Sequence, residues 1–363
     1  MPPFPTYTPP DFTRPDLAAA PPVRTEKAPR DGILPPGFHA TSNHPEYVHV
    51  GNGTWLLATE SRMDAVLVIE DGTLRVVEPR LVRKGEQVVV GRTENGEEGI
   101  YVHSAGFDAP AEGAGDKFAF RSRGTRETPF SRSYDELYDI LRHDRDHGHI
   151  VWVPGPAVAF DRDSRDAMAG LIGAGFCHAL LAGNALATHD LEAALFHTGL
   201  GQDIYTQALV PRGHYNHLDV INEVLRHGSL ERAISEMGIR DGIIRTCLER
   251  RVPVVLASSI RDDGPLPEVV TDSRRAQDAM RIHARRATTV IALATQLHAI
   301  AVGNMTPGYR VMDDGTVRPV YFYIVDMSEF IADKLANRGS GQARAILTNV
   351  QDFMVNLWHN LRE

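Results

Sequence analysis

The chain has 363 residues, 42% of them hydrophobic, which is room for two domains around a sizeable core. Acidic residues outnumber basic ones 47 to 38, giving a formal charge of -9 with no basic stripe. That balance argues against nucleic acid or an anionic membrane as partner and weakly favours a cationic substrate.

The first 30 residues are rich in proline and charge with almost nothing to bury, and read as an extended arm that could drape over a partner subunit. Prolines stand where a signal peptide would need an apolar helix, so no export is implied. Residues 31–130 carry short β-branched runs between glycine turns and read as a smaller β-rich domain, with hairpin signals at Asp71-Gly72 and Asn95-Gly96. At its front His44 and Glu46 flank Pro45 in a proline-fixed loop. Residues 131–363 alternate helices and strands, the pattern of a doubly wound α/β domain with a parallel sheet. Strands are expected at HIVWVPG, Phe176 to Leu181, Val252 to Ser258, Tyr321 to Asp326 and Ala345 to Thr348, and segment 203–250 reads as largely helical. Thr288 to Val302 reads as the longest apolar helix, too short to span a bilayer and closed by the C-cap signal Gly303-Asn304. Cys177 and Cys247 lie far apart without a CxxC or zinc pattern and read as buried free thiols of a reducing compartment, the cytoplasm.

The stretch LLAGNALATHDLEAALF at 180 is the most informative: a strand, a tight turn at Asn184, then an amphipathic helix with Leu186, Leu191, Ala194 and Leu195 on one face. In an open parallel sheet such a turn lies at the carboxyl edge, where helix N-termini meet ligands. The plainer alternatives are that Asn184 caps the helix and that His189 is a surface histidine. Further polar strand ends are Gly155-Pro156, Ser258 to Asp263, Asp326, and Thr348-Asn349. An acid such as Asp326 at a strand end suits the hydroxyls of a ribose, or simply caps the next helix. No glycine-rich nucleotide fingerprint follows a strand; GLIGAG at 170 precedes one and reads as a helix end. Arg261, Asp262 and Asp263 form a charged turn closed by Pro265 and Pro267, suited to an amino acid's ends or to a plain surface turn. His214 and His217 have metal-ligand spacing without a third ligand nearby, so no metal is expected, and no GxSxG elbow is present.

Several strings together, NHPEYV at 43, GPAV at 155, LLAGNALATHDLEAALF at 180, GHYNHLDVIN at 213, SIRDDGPLPEVVTD at 259, LHAIAVGNM at 297, VDMSE at 325 and NRGSGQA at 337, resemble the archaeal-type ornithine cyclodeaminase family. That family carries the LOR/SDH conserved region and also forms the C-terminal part of arginine dihydrolase/ornithine cyclodeaminase fusions. The resemblance implies a Rossmann-like domain akin to that of deoxyhypusine synthase, with NAD bound without a glycine fingerprint, in a homo-oligomer. It also implies a redox-neutral lyase reaction: NAD borrows a hydride from the α-carbon of L-ornithine, the δ-amine attacks the imine, ammonia leaves, and the returned hydride gives L-proline. Expected cofactor contacts are Asn184, Ala185, Asp263, Asn304, Met305, Asp326, Met327, Gly339, Ser340 and Asn349. Residue type and location suggest Asp263 or His189 as proton carrier and Arg261 or Arg212 as carboxylate clamp. The chain departs from the pattern at Asn337 and Asn349, where amides replace carboxylates, and at Glu46, where the family favours threonine. An amide cannot supply a charge-assisted bond, so a different diamino acid, an imine oxidoreductase, or a catalytically silent binding homologue are the alternatives, with Glu46 available to hold an amine.

Overall fold

The computed structural model describes residues 4–107, 131–262, 264–328 and 342–362. Two small antiparallel sheets come first. One has the order β1-β6-β4-β5, from Arg24–Lys27 (β1), Val66–Glu70 (β4), Thr73–Val77 (β5) and Gln87–Val90 (β6). The other joins Glu46–Gly51 (β2) to Thr54–Leu57 (β3) and Ile100–Val102 (β7). Asp71 and Gly72 make the two-residue β4–β5 turn, both in the left-handed region that matches strand twist. Asn95-Gly96 also enters a short hairpin: Asn95 bridges Tyr101 antiparallel, Val102 N–H donates to Glu94 O, and Gly96 N–H donates to Ile100 O.

The N-terminal segment is not the free arm expected from its prolines. Its apolar residues are widely spaced, and each anchors separately on this chain. The Phe4 ring lies 4.2 Å from the Arg318 guanidinium, Tyr7 shares a hydrogen bond with Tyr47, and Leu17, within the short helix Pro15–Ala18 (α1), is buried. β1 then pairs with β6 along its whole length. Proline is tolerated here at the first position of α1 and ahead of an edge strand.

Six parallel strands form the main sheet: Ile150–Pro154 (β8), Ala179–Gly183 (β9), Val254–Ala257 (β12), Thr289–Leu293 (β13), Tyr321–Asp326 (β16) and Gln342–Leu347 (β17). Their order is β12-β9-β8-β13-β16-β17, which counted along the chain is the 3-2-1-4-5-6 order of a Rossmann fold. Two short hairpins lie outside it, Thr198–Gly199 with Gln202–Asp203 (β10, β11) and Tyr309–Val311 with Val317–Pro319 (β14, β15). Ile150 and Trp152 face one core while Val151 and Val153 face the other, and β9, β13 and β16 alternate in the same way. Burial on both faces explains why these strands read as continuous apolar runs. Ser131–His147 (α2), Arg162–Gly173 (α3), Asn184–Phe196 (α4), His214–His227 (α5), Leu230–Glu236 (α6), Ile243–Arg250 (α7) and Val350–Leu361 (α10) belong to the first side, and Ser273–Ala284 (α8) and Gln296–Met305 (α9) to the second.

Two sequence expectations are corrected here. Thr288 to Val302 is not one helix: its first part is β13, at the centre of the sheet, and α9 starts only at Gln296. No glycine or proline marks the break; Ala294 makes the turn with φ 45, a left-handed conformation uncommon for alanine. Gly303 and Asn304 lie inside α9 rather than capping it. The two parts of the molecule are joined through Tyr309, whose hydroxyl donates to the Ala58 carbonyl, and through Arg285, paired with Glu60.

Candidate functional site

All six strands run the same way, so the polar strand ends picked out in the sequence share one edge. The switch point of the strand order falls between β8 and β13, where neighbouring crossovers diverge and a crevice opens. There the backbones approach closely: Gly155 N–H donates to Leu293 O at 2.7 Å, and a Cβ on Gly155 would lie 2.2 Å from Ala294 O. Only glycine fits. One strand over, a Cβ on Gly183 would lie 2.9 Å from the ring of His298, in the first turn of α9. Burial depresses the His298 pKa, with the Asp262 charge opposing, so the ring is neutral at pH 7. His298 was passed over in the sequence because β13 was hidden inside an apparent helix.

Asn184 is the first residue of α4, and its side chain does not cap that helix. The amide donates to Gly264 O and accepts from Leu266 N, both at 3.1 Å, tying the β9 turn to the charged loop after β12. Ala185 follows it, half-buried. In that loop Asp262 accepts from Ser259 N, and Arg261 is exposed. Asp326 is half-buried and accepts from Ser328 N at 2.8 Å, while Met327 is exposed. Asn349 caps α10 through Gln351 N. Met305 is buried in the second core, but Asn304 Oδ1 is buried without a hydrogen-bond partner among the described residues, an unmet demand that a ligand's donor would satisfy. Ile260, Leu297 and Met327 are large exposed apolar side chains in the turns that follow β12, β13 and β16. Asp263, Asn337, Gly339 and Ser340 lie outside the described residues.

Helix α4 differs most from its reading. It is not amphipathic: Thr188, His189, Asp190 and Glu192 are buried along with the leucines, because the helix is packed between β9, α5, α7 and the 3-10 turn Pro156–Ala159. Each polar group has found a partner. Asp190 pairs with Arg165 at 2.7 Å and accepts from the N–H groups of Ile243 and Ile244, capping α7. His189 Nδ1 lies 3.1 Å from Glu192 Oε2, and His217 Nδ1, from α5, lies 3.6 Å from the same oxygen. Glu192 Oε1 accepts from Thr198 Oγ1 and Gly201 N, and Asn216 donates to the same Thr198 hydroxyl. Although burial pushes the Glu192 pKa up, His189, His217, Thr198 and Gly201 together hold it down at about 2.

His189, Glu192 and His217 are a group whose ligand atoms all lie within 4.8 Å, so the residues missing from the His214/His217 reading come from a neighbouring helix. His214 itself is exposed, its ring tilted against that of Tyr215. The His189 and His217 rings stack 4.8 Å apart at 28°, with both Nδ1 atoms turned toward Glu192 Oε2. Arg212 is exposed in the loop before α5. Glu46 is fully buried against His39 and Ser42 N, so it is not open to a substrate amine as expected. An open hollow of about 1260 Å³ lies elsewhere, lined by residues 31 to 87 and Arg285.

Residues 135–357 match the family model for the C-terminal Rossmann fold of ArgZ-like arginine dihydrolases. An ornithine cyclodeaminase from Methanopyrus kandleri is 39% identical over 342 residues, 94% of this chain and 78% of the relative. The chain belongs to the archaeal-type ornithine cyclodeaminase family. Among solved members, a conserved LOR/SDH protein from Methanococcus maripaludis superposes with a TM-score of 0.83 at 34% identity, over 94% of this chain and 98% of that one. AgrE, solved as a ternary complex with ornithine and NAD+, matches with a TM-score of 0.59 at 31% identity, over 95% of this chain and 46% of that one.

Proposed function

We propose that this member of the family is an NAD-dependent cyclodeaminase, converting L-ornithine or a related diamino acid to L-proline or a cyclic imino acid plus ammonia. The observation that carries this reading is the Rossmann strand order, which gathers the turns at Gly155, Asn184, Asp326 and Asn349 onto one edge. These residues fit a dinucleotide: a glycine at the closest approach of two strand ends and an acid for ribose hydroxyls. When bound, NAD would supply a reversible acceptor for the hydrogen on the substrate α-carbon.

The remaining work falls to this chain's own residues. Asn184 holds the loop that follows β12 and carries Arg261 against the β9 turn, which helps position a carboxylate clamp. Arg261 or Arg212 would bind the substrate carboxylate, and Asp263 or His189 would carry the proton. Ile260, Leu297 and Met327 would exclude water once covered. The relatives' names and the AgrE complex with ornithine and NAD+ support the substrate class.

The test is incubation with L-ornithine and no added oxidant, followed by amino-acid analysis, beside native mass spectrometry for retained dinucleotide. Proline and ammonia in equal amounts with no build-up of NADH are expected. Steady NADH accumulation would make the protein an oxidoreductase instead. Asn184→Ala should retain less dinucleotide, since its loop loses both anchoring hydrogen bonds.

A further inference from the structure

Glu192 is the most heavily used carboxylate of α4, and it ties the β10–β11 hairpin to that helix. It accepts from a threonine hydroxyl and from the N–H groups of Leu200 and Gly201, and with its pKa near 2 it is ionised across the whole neutral range. An ionised carboxylate only accepts, so the Nδ1 of His189 at 3.1 Å must carry its hydrogen. The Nδ1 of His217 faces the same oxygen from 3.6 Å. Thr198 donates to Glu192 and receives from Asn216, so the direction of the chain of hydrogen bonds is fixed. The His189 and Phe160 rings meet in a T-shaped contact, centroids 4.7 Å apart, and Phe160 closes the turn that follows β8 at the switch point.

We infer that Glu192 locks His189 and His217 as Nδ1–H tautomers and couples them into one proton-holding unit, whose Nε2 atoms exchange a proton with the amine nitrogen of the substrate. One N–H bond of the attacking ammonium breaks as an Nε2–H bond forms; the same proton later passes to the departing amine, and no electrons are transferred. The unit carries one negative charge with both rings neutral and becomes neutral on taking up the proton. A buried site tolerates that change better than the appearance of an isolated imidazolium. Glu192 is therefore a positioning residue, acting through the two histidines. The substrate step rests on the proposed cyclodeaminase reading; the tautomers and their coupling do not.

The titratable surroundings leave the unit to itself. On α4 the neighbouring Asp190 is committed to Arg165 and to α7. On α5 His214 and Asp219 are exposed. In the β10–β11 hairpin Asp203 accepts from its own turn at Thr206, and His197 is exposed. On α7 Arg245 reaches Glu249 and Arg240 O, and Cys247 is a buried thiol. β9, β12 and the turn Pro156–Ala159 carry no ionisable side chain.

The test uses the full-length protein labelled with 15N in histidine. Long-range 1H–15N spectra, assigned through His189→Asn and His217→Asn, should show both rings as Nδ1–H tautomers above neutral pH. On titration the two should take up one proton between them, and in E192Q the midpoint should fall by about one pH unit or more, as loss of an adjacent negative charge requires. An Nε2–H tautomer at His189, independent titration of the two rings, or an unmoved midpoint in E192Q would overturn the inference. So would cobalt(II) absorption bands lost in E192Q, which would make the cluster a metal site. The tautomers of the unsubstituted protein decide the matter even if E192Q fails to fold. If ornithine turns over, the acid limb of the kcat–pH profile should move down in E192Q with KM within about twofold, whereas a purely structural role lowers kcat at every pH alike. If no proline forms from ornithine, the functional reading fails while the spectra still decide the unit.

Discussion

Asp190 shows what a single residue does when a helix is buried on every side. Its carboxylate is inside the protein, paired with Arg165 and receiving the first two N–H groups of α7, so it neutralises a buried cation and caps a helix at once. Truncation leaves Arg165 with Asp241, which is exposed, as its remaining partner. Asp190→Ala should therefore destabilise the protein by about 3–5 kcal/mol, the usual result of breaking a buried ion pair from one side. Urea denaturation measures this; a loss below ~1 kcal/mol would mean that solvent reaches Arg165. Nothing local in THDLEAA distinguishes Asp190 from a solvated acid. Its partners are on α3 and α7, and only packing makes them neighbours.

At the scale of elements, two errors of reading have one cause. Thr288 to Val302 reads as one helix and α4 as an amphipathic one because periodicity assumes that one face of each element meets water. β13 lies at the centre of a sheet covered on both sides, and α4 is enclosed by four other elements, so neither has a wet face. The same enclosure creates the crevice, since β8 and β13 separate only where their crossovers diverge. Gly155→Ala is the sharpest probe of that junction. Gly155 has an ordinary negative φ, so alanine adds no backbone strain of its own, but its methyl would meet Ala294 O well inside contact distance. We expect the strand ends to be forced apart and the retained dinucleotide to fall well before the melting temperature does. Native mass spectrometry beside a thermal scan separates the two. Full cofactor content with an unchanged melting point would remove Gly155 from the site.

The whole molecule carries a pH dependence that no one element explains. His149 is pushed down to about 3, first by burial and then by His178, Arg286, His283 and Arg310, and burial also lowers His178 and His283. In the unfolded chain these groups take a proton near pH 6.5. Between about 6.5 and 3 the unfolded state therefore binds protons that the native state refuses, and stability falls as the pH falls. Carboxylates act lower down. Asp144 is raised by burial but held below its usual value by Arg318, Thr288 and His143, and Glu192 sits at about 2. Their contribution is present above the unfolded carboxylate value of ~4 and is lost as pH drops through the folded values. Unfolding free energy measured from pH 8 to 3 should stay level to about 7 and then decline in two stages, histidines before carboxylates. A rise in stability between pH 7 and 5 would show that the histidines are not buried as neutral rings.

The sequence by itself determined the family, the alternation of strand and helix, the β-rich start, and which turns are polar, because these depend on residue type and local order. Asn184, Asp326 and Asn349 could be chosen from sequence since each stands at the end of a recognisable strand. Only the tertiary structure decided that six strands rather than five make the sheet, that the proline-rich segment lies on its own chain, that Glu46 is sealed off, and that His298 packs on the β9 turn while Glu192 is buried against two histidines. The reason is physical: burial on all sides erases the polar face from which periodicity is read, and a charge contact between α4 and α5 leaves no spacing in the chain that announces it.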